Sequence, residues 1–93
     1  MPYIKQDDRE HLDEPVDALA DLTQAWFPGG SKDGPLNYVI TRLLCKAMEL
    51  EDPSYTKLER CVGILECAKL ELYRRMAAPY EDKKAAENGE VYP

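Results

Sequence analysis

The sequence predicts an all-α protein: an antiparallel hairpin of two long helices with a shorter N-terminal helix packed across it. Three observations lead there. From Asp52 to Met76, apolar residues recur at three- and four-residue steps (Leu58, Val62, Leu65, Ala68, Leu72, Met76), the spacing of one helix face. From Leu36 to Leu50 the same pattern returns through Val39, Ile40, Leu43, Leu44 and Ala47. Proline and glycine interrupt the chain at Pro28-Gly29-Gly30, at Pro53 and at Pro79, and divide it into helix-sized pieces.

In chain order, residues 1–14 form an N-terminal arm, extended to Gln6 and then one polar helical turn. Pro15 after Asp13-Glu14 suits the first turn of a helix, where its missing N–H costs nothing, so the first helix is placed at 15–27. Its inward positions are Val16, Leu19, Ala20, Leu22 or Thr23, and Trp26, with Asp17 and Asp21 on the solvated side. The loop from Pro28 leads to a second helix at 35–51. Asp52 as N-cap and Pro53 at the first position start a third helix at 53–77. So short a connection makes the second and third helices antiparallel neighbours. Pro79 restricts Ala78 and ends the third helix, leaving a charged tail at 79–93 with an Asn88-Gly89 turn.

The third helix is apolar on more than one side, because Ile64, Cys67 and Leu70 fall outside its main stripe. Such a helix must be covered from several directions, and 93 residues supply few elements to do it. The chain is therefore expected to complete its core with a second copy of itself, as a homo-oligomer. A single domain of this size buries roughly 60–65% of its unfolded surface.

Composition excludes several classes. Hydrophobic content of 44% and charged content of 32% are those of a globular chain. No apolar run approaches the ~20 residues that span a bilayer, and the opening MPYIKQDDREH has no apolar core of a secretory signal, so a cytoplasmic protein without membrane contact is expected. The net charge is −6, with −5 on residues 1–34 (three bases, eight acids) and +1 on residues 35–78 (seven bases, six acids). Without a basic stripe, duplex nucleic acid is a poor partner. Cys45, Cys61 and Cys67 are odd in number and form no CxxC, so they read as reduced thiols packed in or near the core. With His11 the sole histidine, no metal site and no Cys–His nucleophile can be drawn.

Other residues invite a functional reading beside a structural one. Gly63 sits mid-helix at a cost of about 0.5–1 kcal/mol relative to alanine; close helix packing accounts for it, or the approach of a ligand or a partner backbone. Glu66 lies on a largely apolar stretch, with Lys69 three residues on as an ordinary ion-pair partner. Arg74 and Arg75 favour the negative end of the helix dipole. Asn37, Tyr38, Thr41 and Arg42 form a polar shoulder on the first turns of the second helix, behind a glycine-rich loop. It is either a solvated helix start or a place for an anion such as a phosphate. PGGSKDG is no Walker loop, since the GK[ST] ending is missing. A magnesium-dependent pyrophosphatase of the MazG type needs an ExxE helix before an ExxD helix, and no ExxE precedes Glu10-x-x-Asp13. The chain is thus expected to be no enzyme, to need no cofactor and to hold no metal. The candidate ligand-binding set is Asn37, Tyr38 and Arg42 from the second helix with Lys69 and Tyr73 from the third. Bases would pair with phosphate and tyrosines would stack on a nucleobase.

LNYVITRLL (36–44), LECAKLELYRRMAAPYEDKKAAENGEVY (65–92) and the opening MPYIKQDDRE resemble a family of small uncharacterised proteins of phages, prophages and metagenomes. The resemblance covers most of the chain and brings no activity with it. It implies synthesis in a bacterial cytoplasm, from a viral genome. By analogy with small helical phage proteins, the expected function is that of a non-catalytic sponge that sequesters a nucleotide signal of bacterial immunity. The alternatives are an adaptor docking on a host or virion protein and, third, a nucleotide hydrolase.

Overall fold

The computed structural model describes residues 1–93, and it is all-helical without strands. Helix α1 is Gln6–Trp26, α2 is Asp33–Ala47 and α3 is Tyr55–Leu72. A π-helical turn, Tyr73–Ala77, joins α3 to α4, Ala78–Asn88. The chain divides into two units, Tyr3–Leu58 and Glu59–Pro93, the second taking in Met1–Pro2. The hairpin expected of the second and third helices involves both units.

In the unit Tyr3–Leu58 the first helix starts nine residues earlier than Pro15 suggested. Lys5 takes the N-cap position, Asp7 and Asp8 occupy the positive first turn, and the Arg9 side chain donates from Nε to the Ile4 carbonyl at 2.8 Å. Pro15 is inside the helix, where it deprives the His11 carbonyl of its usual donor four residues on. The expected arm is thus largely helical. α2 begins at Asp33, two residues before Pro35, and its first N–H donates to Ser31 Oγ at 3.3 Å. It ends at Ala47, short of the expected Glu51, because Glu49 turns into the left-handed region with φ 53°. The third helix starts two residues later than Pro53 suggested. Ser54, not Asp52, caps it: Ser54 Oγ accepts from the Lys57 N–H at 3.2 Å, the bond an N-cap hydroxyl makes to the third helical residue.

In the unit Glu59–Pro93 the third helix does not stop at Pro79. The Ala78 N–H bonds to the Tyr73 carbonyl, five residues back. This wider turn takes the chain past the proline, which has no N–H to give to Arg75 four residues back. The segment expected as a charged tail is therefore helical as far as Asn88. Gly89, at φ 101°, closes the helix by donating to the Ala85 carbonyl at 2.9 Å, so the Asn88-Gly89 turn marks its C-terminus.

The stripes expected to face inward are not covered. Thr23 and Cys61 are the only buried residues, while Val16, Leu36, Leu43, Leu58, Leu65 and Leu72 are exposed. The chain presents 8409 Å² to solvent. The cysteine expectation holds in part: Cys61 is buried, Cys45 half-buried and Cys67 exposed, all three as free thiols. No helix is long and apolar enough to cross a membrane.

Candidate functional site

Tyr38 and Arg42, four residues apart on the first turns of α2, share one helix face and line one hollow, while Asn37 lies about 140° around the helix from Arg42. Asn37 Oδ1 accepts from Thr41 Oγ1 at 3.3 Å, which fixes the amide. The Tyr38 ring is 65% exposed and forms part of an apolar groove of about 610 Å³ between the end of α1 and the start of α2. Leu19, Leu22, Trp26 and Phe27 supply the α1 side of that groove, and Pro35, Tyr38 and Val39 the α2 side. At its floor lies Thr23, whose Oγ1 donates to the Leu19 carbonyl at 2.9 Å, so the one buried hydroxyl is satisfied.

Tyr38, Val39 and Leu19 also line a neighbouring hollow of about 290 Å³ that ends at Arg42 and Lys46. The two hollows share those three side chains, so a strongly apolar surface around Trp26 runs into one with two cations. That arrangement can take a ligand that is flat or apolar at one end and anionic at the other.

Lys69 and Tyr73 belong to the other unit, and each has a partner of its own. Lys69 Nζ lies 3.0 Å from Glu66 Oε1, the local pair the sequence suggested, with both side chains more than half exposed. Such a pair is worth little and opens at little cost. Tyr73, the first residue of the π turn, donates its hydroxyl to Glu81 Oε2 at 3.2 Å. The negative charge of Glu81 and this hydrogen bond hold the phenol above its usual pKa of 10.0. Arg74 pairs with Glu71 at 2.7 Å, within the helix, rather than serving only the helix end.

Sequence reasoning missed the groove and Lys46. The signal was present: Leu19, Leu22 and Trp26 are spaced for one face of α1, and the loop from Pro28 to Lys32 returns the chain close enough for α2 to oppose them. No group of three His, Cys, Asp or Glu side chains is arranged to hold a metal ion.

Neither a curated protein nor a solved structure matches the chain. A family model described as "Domain of unknown function (DUF6899)" matches residues 1–91, nearly the whole length. This chain therefore belongs to the DUF6899 family.

Proposed function

We propose that the protein is a non-catalytic binding protein that works as a homo-oligomer and captures a small phosphate-bearing ligand of nucleotide type. What supports the first part is the uncovered apolar surface of each unit: Val16, Leu36 and Leu43 in one, and Leu65, Leu72 and Met76 in the other, are exposed. A chain with two buried residues has no core to offset its conformational entropy, and a second copy supplies one. The ligand part rests on the α2 shoulder. The Arg42 guanidinium suits a phosphate, the exposed Tyr38 ring suits a base, and Asn37 adds a fixed amide. Lys69 and Tyr73 join such a ligand only by leaving Glu66 and Glu81. In the setting implied by the resemblance to phage proteins, this is a cytoplasmic sponge for a nucleotide signal of bacterial immunity. Protein incubated with cyclic and linear nucleotides, repurified and heat-denatured, then releases one of them intact. Release of a cleaved product, or no bound nucleotide at any concentration, contradicts the reading.

One feature favours a second reading. Trp26, 75% exposed beside Phe27 at the apolar end of the groove, is the kind of anchor that protein interfaces use. An adaptor docking there on a host or virion protein gives a specific protein complex and no nucleotide-dependent thermal shift.

A further inference from the structure

We infer that the groove between α1 and α2 holds a single-chain anionic amphiphile, a hydrocarbon body with one carboxylate or phosphate head. The body lies among Leu22, Trp26 and Phe27, and the head between Arg42 and Lys46. This goes beyond the nucleotide reading, which leaves Trp26 and Lys46 unused. The groove of about 610 Å³ has the volume of a small-molecule site, and the adjoining hollow adds about 290 Å³. A nucleobase stacked on Tyr38 leaves the Trp26 end unfilled. Whatever fills that end finds few polar partners there. Thr23 already gives its hydroxyl to the Leu19 carbonyl, which leaves the Tyr38 hydroxyl and the Trp26 N–H as the side-chain polar groups of the groove. A body rich in donors and acceptors would bury most of them unmatched, at a cost that a hydrocarbon body does not incur.

Charge fixes the other end. Arg42 and Lys46 are four residues apart, one turn of α2, and both line the hollow into which the apolar surface runs. Like charges at that spacing repel. Lys69, Arg74 and Lys84 each pair with an acid three residues away, at 3.0, 2.7 and 3.2 Å. Arg42 has no acid within four residues along the chain, and neither Arg42 nor Lys46 forms an ion pair or a side-chain hydrogen bond. Glu51 borders both in a further hollow and pairs with neither. The negative end of the helix dipole accounts for Lys46, in the last turn, and not for Arg42. Two unpartnered cations at the end of an apolar groove complement one anionic head on an apolar body.

Trp26, the sole tryptophan, lines the groove and reports on its filling. The test titrates the full-length chain with dodecanoate below its micelle concentration. The expected result is a saturable blue shift of Trp26 emission with the helical circular dichroism retained. Affinity is expected to rise by up to about fourfold for each methylene added between octanoate and dodecanoate. Dodecyltrimethylammonium, the same chain with a cationic head, is expected to bind at least about tenfold more weakly. The double variant Arg42→Gln, Lys46→Met, which keeps both stems, is expected to lose about tenfold in dodecanoate affinity, and Lys46→Met alone at least about threefold. Equal binding of the two amphiphiles, an unaltered dodecanoate affinity in either variant with its helical signal intact, or a Trp26 emission that dodecanoate does not move overturns the inference. So does a shift with anionic phospholipid vesicles and none with dodecanoate, which makes the occupant a membrane surface. None of these results bears on the nucleotide reading, which stands or falls by nucleotide release.

Discussion

The Lys57 ammonium donates to the Glu49 carbonyl at 3.1 Å, and Glu49 is the one non-glycine residue of the chain in the left-handed region. The same ammonium donates to the Asp52 carbonyl at 2.8 Å. A single half-buried lysine on the first turn of α3 thus gathers two carbonyls of the turn after α2, the first of which also accepts from the Asp52 N–H. Lys57→Met, which keeps the stem and removes the donors, is expected to lower stability by about 1 kcal/mol. Glu49→Gly relieves the left-handed strain and is expected to raise it by about 0.5–1 kcal/mol. Urea unfolding checks both; a Lys57→Met variant as stable as wild type removes the clamp from the account.

Gly63 is the second position at which a substitution discriminates. A Cβ placed there meets nothing within 4 Å, so close packing inside the chain does not explain this glycine. Gly63→Ala is expected to raise stability by about 0.5–1 kcal/mol through helix propensity alone. A loss of stability, or dissociation of the oligomer, would show instead that a partner's backbone passes over this point.

Tyr73 supplies a pH dependence. Its phenol is held above the usual 10.0 by the charge of Glu81 and the bond to it. A folded-state pKa above the unfolded one stabilises the protein fully below the unfolded value and ceases to do so as pH rises through the folded one. The contribution is thus complete at neutral pH and disappears only above about pH 10. Glu81→Gln is expected to bring the Tyr73 titration down toward the ordinary value, read from the ultraviolet absorbance of tyrosinate. An unchanged titration in that variant would mean the contact does not persist in solution.

Arg42 tests the candidate site. A charge-assisted contact to phosphate is worth roughly 1.5–3 kcal/mol, so Arg42→Ala is expected to weaken a nucleotide ligand about ten- to a hundredfold without loss of helical signal. Arg9→Ala, on the acidic first helix, is the control and changes little. Equal binding by Arg42→Ala and wild type places the ligand elsewhere than the α2 shoulder.

Much of the helical character was legible in the sequence and much of the helix geometry was not, for reasons that particular residues make plain. The stripes around Leu36–Leu50 and Leu58–Met76 announce helices because their period is a helix's own. Prolines misled at both ends. Pro15 and Pro79 have the chemistry of helix ends, yet one is tolerated inside α1 and the other is passed by a π turn, and nothing in the local pattern distinguishes these uses. Ser54 outcompetes Asp52 as a cap because the turn through Glu49, fastened by Lys57, carries the chain two residues further before the helix begins. Of the candidate site, Tyr38 and Arg42, at a spacing of four, were legible as one helix face, and Asn37 lies away from them beside Thr41. The groove beside them was not, since side chains of both α1 and α2 line it and neither helix alone forms it.

Multi-angle light scattering on the purified protein at micromolar concentration tests most directly the proposal that this chain completes its core with copies of itself. The expected mass is at least twice 10.6 kDa, with a melting temperature that rises with protein concentration. A single species of 10.6 kDa, unfolding cooperatively at a temperature independent of concentration, would contradict it.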